Sequence, residues 1–153
     1  MRAVIQRVLS TSVVVNGGAP RSIGRGLMIL LGIKSTDTPA DCDKLAEKCA
    51  HLRIFDDDSG NLNLSAVDLG YEAMVVSNFT LYGNTKKGKR PSFIAAAKPP
   101  LSVELYERFL EKLYATPLKG VTTGEFGADM QITLVNDGPV TLVVDTDEWK
   151  GTL

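Results

Sequence analysis

Four residues at the end of an apolar run are the first candidates for chemistry in this sequence. The segment EAMVVSNFTL, residues 72–81, is apolar until it reaches Ser77, Asn78, Phe79 and Thr80. We predict a β-strand over residues 72–81, with a site at its polar end. A strand end is a suitable place for a site because the sheet holds it rigidly.

A cluster of cations follows in residues 83–93, GNTKKGKRPSF, formed by Lys86, Lys87, Lys89 and Arg90. The cluster predicts an exposed basic loop that is suited to nucleic-acid phosphates, although a merely solvated loop is an equally good interpretation of the charge. The segment also matches the G-x-x-x-x-G-K pattern of a nucleotide-binding loop. That interpretation is disfavoured because Arg90 stands where a metal-binding hydroxyl is needed, and Pro91 stands where a helix must begin.

A third candidate lies in residues 130–145, MQITLVNDGPVTLVVD, where two alternating apolar runs meet at Asn136-Asp137-Gly138-Pro139. The Asn-Asp-Gly sequence and its β-branched flanks predict a hairpin of two strands with a tight turn. Pro139 removes a backbone donor at the start of the second strand, and a cis X-Pro bond costs only about 0.5–1 kcal/mol. An ordinary hairpin and a turn with its own function both remain open.

Several common catalytic motifs are missing from the sequence. It has no G-x-S-x-G, no H-E-x-x-H and no G-x-G-x-x-G after a strand. His51 is the only histidine, and no spacing gives it a triad partner. Cys42 and Cys49 lie seven positions apart in a predicted helix, about 10 Å at 1.5 Å per residue, which is too far for a disulfide.

The composition indicates one globular domain over residues 1–153, with 44% apolar and 23% charged residues. The 17 basic and 18 acidic residues give a net charge of -1, which excludes the strong global field of a non-specific nucleic-acid binder. No apolar run approaches the roughly 20 residues of a membrane span, and the N-terminus lacks the apolar segment of a signal peptide. We therefore expect a cytoplasmic protein.

Periodicity predicts the remaining elements. Alternation favours strands over residues 3–9 and 12–16, and the continuous apolar run at 26–33 favours a strand buried on both faces. One helix is predicted to begin after Thr38, with Pro39 in its first position, and a second to span residues 103–113. Residues 56–61 are interpreted as a solvated acidic turn, residues 121–125 as the approach to the last strands, and Trp149 as a packing residue.

Three motifs in order give a specific resemblance: SNFTLYG at 77–83, KGKRPSF at 87–93 and NDGPVT at 136–141. Together with MRAVIQRV at the N-terminus and FGADMQITLVNDGPVT near the end, they resemble the D-aminoacyl-tRNA deacylases, also called D-tyrosyl-tRNA deacylases. The likeness covers almost the whole chain. One departure is visible, because the family usually has Gln where this chain has Asn78, which is one methylene shorter.

The resemblance implies an esterase without metal or cofactor that removes D-amino acids, and wrongly attached glycine, from the 3′ end of tRNA. It implies an α/β fold, a single compact domain with a mixed, antiparallel-rich sheet packed with two main helices. It further implies a homodimer with the site at the subunit interface, where Gly138-Pro139 of one subunit reaches into the pocket of the other. The catalytic segment is then Ser77, Asn78, Phe79 and Thr80.

The residues fit this chemistry. An aminoacyl ester is already activated, so the enzyme needs mainly to stabilise an oxyanion, and one such donor is typically worth about 3–4 kcal/mol. We expect the backbone N–H groups of Phe79 and Thr80 to supply it, and Lys86, Lys87, Lys89 and Arg90 to contact tRNA. A backbone wall at Gly138-Pro139, with the peptide bond between them cis, is expected to exclude L-amino acids. The alternative is a non-enzymatic dimeric nucleic-acid-binding protein.

Overall fold

The computed structural model describes residues 1–150, so the last three residues of the predicted domain, 151–153, lie outside the described part. Two long helices and one short helix pack with strands that are mostly joined in a single sheet. The helices are α1 Pro39–His51, α2 Ala66–Leu69 and α3 Leu101–Tyr114. The strands are β1 Arg2–Val15, β2 Arg21–Ile23, β3 Gly26–Gly32, β4 Phe55–Asp56, β5 Leu62–Leu64, β6 Glu72–Ser77, β7 Val121–Thr123 and β8 Met130–Asp145.

The main sheet is mixed, and its order is β2-β1-β3-β6-β7 with β8 paired to β1. β1 is antiparallel to β2, β3 and β8, whereas β3, β6 and β7 run parallel to one another. Most pairings are therefore antiparallel, and the predicted α/β fold with an antiparallel-rich sheet and two main helices is confirmed. The strands β4 and β5 form a separate two-stranded hairpin.

The sheet has an apolar cluster on each face. The face under the helices carries the larger cluster, with Leu27, Ile29 and Leu31 of β3 against Leu45 and Phe109. The opposite face is enclosed by the curled sheet, and its buried members are Val8, Val13, Val15, Ile23, Met28, Met74 and Val76. Because β3 and β6 contribute to both clusters, their sequences are continuous apolar runs, as expected for buried parallel strands.

The first helix begins where the sequence predicted. Thr38 is the N-cap of α1, Pro39 takes the first position, and Thr38 and Asp41 form a reciprocal capping box. α3 starts two residues earlier than predicted, at Leu101, and ends at Tyr114. The two helices are joined by Arg108, whose Nε and Nη2 donate to the Asp43 carboxylate at 2.7 and 2.8 Å.

The predicted hairpin at residues 130–145 is wrong. Both apolar runs belong to β8 and pair with the same neighbour, β1, so they continue one another instead of folding back. The prediction failed because the partner strand is also single: β1 runs without a break over the segments predicted as two strands. A long partner gives both halves of β8 their hydrogen bonds, which a tight turn would otherwise supply.

Candidate functional site

The predicted catalytic segment lies where β6 leaves the sheet. β6 ends at Ser77, so the predicted strand over residues 72–81 is four residues too long. The backbone N–H of Asn78 still donates to the carbonyl oxygen of Leu31 in β3, at 2.8 Å. The chain then turns into a 3-10 helix, Phe79–Tyr82, with Asn78 as its N-cap. The segment is held by the sheet on one side and by the turn on the other.

A pocket of about 260 Å³ opens beside this segment. Four parts of the chain line it: the end of β3, the catalytic segment, the start of α3 and the stretch before β8. The lining residues are Leu31, Ile33, Ser77, Asn78, Phe79, Ala97, Ser102, Phe126, Gly127, Ala128 and Met130. Three of the four predicted catalytic residues therefore line one concave, mainly apolar surface, which is the usual form of a ligand site. Thr80 lies just outside it.

The side chain of Asn78 organises the turn. Its Oδ1 accepts from the backbone N–H of Thr80 at 3.2 Å and also from the Thr80 hydroxyl. The Thr80 amide, which the sequence suggested as an oxyanion donor, is thus engaged within the turn. The backbone N–H of Phe79 has no acceptor among residues 1–150, so it is the better placed of the two predicted donors.

The cationic loop is connected to the pocket through aromatic packing. Phe79 and Phe93 meet edge to face with ring centroids 5.2 Å apart, and Asn84 and Ser92 close the loop with backbone hydrogen bonds of 2.7 and 2.9 Å. The predicted cations Lys86, Lys87, Lys89 and Arg90 are all exposed. Lys86 also lines an open groove with Arg2 and Tyr82, where the Arg2 guanidinium is ion-paired with Asp145 at 2.9 Å.

Gly138 and Pro139 lie in a bulge of β8. In the pairing with β1, Gln6 faces Thr141 and Val8 faces Asn136, so Arg7 alone stands opposite residues 137–140. The Gly138–Pro139 peptide bond is cis, Gly138 has a φ of 130°, and both residues are exposed. The segment that was predicted as a hairpin turn is therefore an exposed loop on a continuous strand.

Arg7 holds this bulge, although the sequence did not suggest it. Arg7 is only 7% exposed, and its Nε donates to the carbonyl oxygen of Asp137 at 3.1 Å. Its Nη1 donates to the carbonyl oxygen of Ile54 at 3.0 Å. Asn136 adds a second support, since its Nδ2 donates to the carbonyls of Arg7 and Val140 at 3.2 and 3.1 Å. The bulge therefore has a defined shape without any partner.

Within a single chain, the bulge and the pocket lie far apart. Arg7 pairs with Leu27, four positions along β3 from Leu31, and Leu31 pairs with Ser77. Four residues along the strands and three strand spacings from β8 to β6 separate the two features by roughly 20 Å along the sheet. Gly138 and Pro139 accordingly do not appear among the residues that line the pocket.

The pocket is electrically neutral. No titratable side chain lines it within the described residues, and residues 1–150 contain no group of three or more His, Cys, Asp or Glu placed to hold a metal ion. Burial raises the pKa of the Cys42 and Cys49 thiols to about 12, so both are protonated and inert at neutral pH. The polar side chains that line the pocket among the described residues are the hydroxyls of Ser77 and Ser102 and the amide of Asn78.

The sequence also missed part of the pocket wall. Ser102 and the stretch Phe126, Gly127 and Ala128 join the site only through tertiary contacts, and no spacing in the sequence connects them to Ser77. Phe126 is fixed by Tyr106 of α3, with ring centroids 5.7 Å apart. For Arg7 a weak signal existed, because it is a charged residue in an otherwise apolar alternation; buried arginines usually have dedicated partners.

Fold and site together define a class: small α/β proteins with a curled mixed sheet, two covering helices and a neutral pocket at the end of a parallel strand. The sequence model described as D-Tyr-tRNA(Tyr) deacylase matches residues 4–145. The chain belongs to this family. Curated relatives named D-aminoacyl-tRNA deacylase include one from Chloroflexus aurantiacus, 55% identical over 98% of this chain and 93% of its own length. Another, from Bacteroides thetaiotaomicron, is 52% identical over 95% of this chain and 97% of its own.

Solved structures agree on the fold. The structure titled c-Myc DNA Unwinding Element Binding Protein superposes with a TM-score of 0.88 at 39% identity, covering 95% of this chain and 98% of that one. A structure titled as a probable eukaryotic D-amino acid tRNA deacylase has a TM-score of 0.82 at 17% identity, with 94% and 97% covered. Among the helices of the described part, none has both the length and the apolar character needed to cross a membrane.

Proposed function

We propose that this chain hydrolyses the ester bond of D-aminoacyl-tRNA, and of glycyl-tRNA formed by mischarging, and releases the free amino acid and the tRNA. The observation that carries the proposal is the neutral pocket beside Ser77, Asn78 and Phe79 in a chain of the D-Tyr-tRNA(Tyr) deacylase family. Such a reaction removes D-amino acids before they enter protein synthesis, which places the chain in the cytoplasm with the charged tRNAs.

The pocket suits the terminal adenosine of the tRNA. Its wall is mainly apolar and carries two aromatic rings, Phe79 and Phe126. Phe79 packs edge to face on Phe93 but is still 57% exposed, so part of its ring is free to stack on a base. With the base in this pocket, the ester on the ribose lies near Ser77 and the Phe79 amide, at the polar end of the pocket.

The chemistry requires little from side chains. Water adds to the ester carbonyl carbon, the negative charge on the carbonyl oxygen is stabilised by the Phe79 N–H, and the bond from carbon to the ribose oxygen then breaks. The proton from the water passes to the leaving ribose oxygen, with the neighbouring ribose hydroxyl as relay. Asn78 and Thr80 keep the turn in shape, and no imidazole or thiol base is needed.

A second copy of the chain completes the site. Because one chain holds Gly138 and Pro139 roughly 20 Å from Ser77 along the sheet, the bulge can wall a pocket only on a neighbouring molecule. The bulge is flanked on β8 by two exposed apolar side chains, Val135 at 48% and Val143 at 61%. Such a patch is expected at an interface between subunits. We therefore assign the chain to a homodimer in which each bulge enters the partner's pocket.

In this arrangement the bulge acts as the chiral filter. Backbone atoms do not rotate away, and the contacts from Arg7 keep them in place. The side chain of an L-amino acid clashes with this wall, whereas the side chain of a D-amino acid points away from it. Glycine is accepted because it has no side chain that could clash. The filter thus rejects L-amino acids without a separate pocket for each D side chain.

Contacts to the rest of the tRNA come from the cationic loop. Lys86, Lys87, Lys89 and Arg90 are exposed beside Phe93, which packs on Phe79, so their charges lie next to the bound 3′ end. Phosphates of the acceptor end are the natural partners of such a surface.

The direct test is hydrolysis of matched D-aminoacyl-, L-aminoacyl- and glycyl-tRNA by the purified protein. We expect turnover of the D-aminoacyl and glycyl esters and sparing of the L ester. Binding of tRNA with a steep salt dependence but no ester turnover would instead identify a non-enzymatic nucleic-acid-binding protein. Equal turnover of D and L esters would contradict the chiral filter.

A further inference from the structure

One buried polar group in the pocket has no partner in the free protein. Ser102 is 4% exposed, and its Oγ makes no hydrogen bond with any described residue. Buried hydroxyls are almost always hydrogen-bonded, because leaving one unpaired costs stability. Since Ser102 lines the pocket and nothing in the protein satisfies it, a ligand that fills the pocket is the natural partner.

The surroundings of Ser102 favour a hydrogen-bond acceptor as that partner. Ser102 lies in the first turn of α3, whose N-cap is Pro100, and no side chain caps this end. The Ser102 N–H already donates to the carbonyl oxygen of Lys98 at 3.2 Å, but the partial positive charge of the helix N-terminus still favours an acceptor near the hydroxyl. The other polar side chains that line the pocket, Ser77 and Asn78, belong to the catalytic segment. Ser102 is therefore the polar side chain that α3 contributes to the pocket wall.

We propose that Ser102 Oγ donates a hydrogen bond to a ring nitrogen of the terminal adenine and makes the pocket selective for that base. The inference rests on the proposed function, which places the adenosine in this pocket. The side chains of the neighbouring lining residues Ala97, Phe126 and Ala128 can contact the faces and edges of a base but have no polar atom that could hydrogen-bond its nitrogens. Ser102 is thus a specificity-determining residue that acts on binding and not on the reacting ester.

The test is a binding cycle with a hydrolysis-resistant ligand, 3′-(D-alanylamino)-3′-deoxyadenosine, and its 1-deaza, 3-deaza and 7-deaza analogues. We expect one analogue to bind the wild-type protein about tenfold more weakly than the parent ligand, as for the loss of one hydrogen bond. Ser102→Ala should bind the parent ligand about tenfold more weakly and should no longer distinguish that analogue. With the aminoacyl-tRNA substrate, KM should rise while kcat stays close to the wild-type value.

Thermal unfolding separates this role from a structural one. Because the hydroxyl is unpaired in the free protein, Ser102→Ala should melt at or above the wild-type temperature without ligand and show a smaller shift with ligand. A lower melting temperature together with unchanged discrimination between the analogues would overturn the proposal, since the hydroxyl would then serve the fold or hold a water molecule. The binding cycle does not depend on turnover: Ser102-dependent discrimination in a protein that hydrolyses no D-aminoacyl-tRNA would contradict only the proposed function.

Discussion

At the residue scale, we propose that the catalytic segment works through its backbone, while the side chains of Asn78 and Thr80 set the backbone geometry. Asn78 Oδ1 receives both the amide and the hydroxyl of Thr80, so the turn is locked before any substrate arrives. The sequence resemblance implied Gln at this position, which has one more methylene than Asn78. The short side chain of Asn78 nevertheless reaches the Thr80 amide, as an N-cap residue does.

Thr80→Ala should lower turnover of D-aminoacyl-tRNA by about tenfold or less, compared with about a 10⁶-fold loss for a triad nucleophile. The physical reason is that the Thr80 hydroxyl donates to Asn78 Oδ1 and, in the proposed mechanism, does not attack the ester. Thr80→Ser, which keeps the hydroxyl, is the matched control and should stay near the wild-type rate. Single-turnover kinetics and mass spectrometry would check the result; an acyl group trapped on Thr80 would show covalent catalysis instead.

Gly138→Ala should reduce the ratio of D to L hydrolysis by about tenfold or more, because small displacements of a positioning group have large effects on rate. A Cβ on Gly138 would lie 2.9 Å from Val140 and 3.0 Å from Arg7 Nη2, and a φ of 130° is strained for an L residue. Gly60→Ala is the control: its φ is also positive, at 80°, but a Cβ there meets nothing within 4 Å. Gly60→Ala should cost stability of about 1 kcal/mol and leave the ratio unchanged. An unchanged ratio in Gly138→Ala would remove the bulge from the filter.

At the scale of elements, local signals predicted the helices well and the last strand poorly. Thr38, Pro39 and Asp41 specify the start of α1 by themselves, since capping involves neighbours in sequence. The conformation of β8 depends on a partner more than a hundred residues away, and the Asn-Asp-Gly signal for a hairpin is overridden by pairing with β1. Arg7 and Ser102 were missed for the same reason, because only the folded chain brings them to the bulge and the pocket.

Asp43→Asn should lower the free energy of unfolding at neutral pH by about 0.5 kcal/mol, a value that allows for the partial exposure of the pair. The hydrogen bonds from Arg108 lower the pKa of Asp43, so the carboxylate stabilises the joint between α1 and α3. A lowered folded pKa gives stability that is present above the unfolded pKa of about 3.9 and lost as the pH falls through the folded value.

Urea unfolding of the wild type and Asp43→Asn from pH 7 to about pH 3 measures this difference. The two curves should converge at the acid end, and a double-mutant cycle with Arg108→Gln should assign the energy to the pair. A difference that persists or grows as the pH falls would mean that Asp43 contributes through packing and not through its charge.

At the scale of the whole molecule, we propose that this chain, with a net charge of -1, recognises a polyanion through a local surface. The cations of the loop, Lys86, Lys87, Lys89 and Arg90, supply this surface beside a neutral pocket. Affinity for tRNA and chemistry on the ester are thereby carried by separate parts of the molecule. The sequence predicted the loop because charge clusters are local features. The distance between the pocket and the Gly138-Pro139 bulge could not be predicted, because it depends on how the strands pair.

Each of Lys86→Gln, Lys87→Gln, Lys89→Gln and Arg90→Gln should weaken tRNA binding and reduce the slope of log K against log salt by about 0.7–0.9 for each lost phosphate contact. Hydrolysis of a short D-aminoacyl-adenosine should remain nearly intact, because that substrate lacks the phosphates. Lys119→Gln, at an exposed lysine outside the loop, is the matched control and should change neither. Equal losses on tRNA and on the short substrate would place the loop side chains at the reacting ester.

In the proposed dimer, each site combines the pocket of one chain with the Gly138-Pro139 bulge of the other, and a mixed dimer of two different variants tests this arrangement. One differently tagged chain carries Ala128→Trp, which fills its pocket, and the other carries Gly138→Ala, so the only open pocket faces the only unaltered bulge. We expect the purified mixed dimer to show about half of the wild-type turnover of D-aminoacyl-tRNA, from one of two equivalent sites, and to reject L-aminoacyl-tRNA as sharply as the wild type. A mixed dimer with the reduced D to L ratio of the Gly138→Ala homodimer would contradict the claim, because each pocket would then be filtered by its own chain.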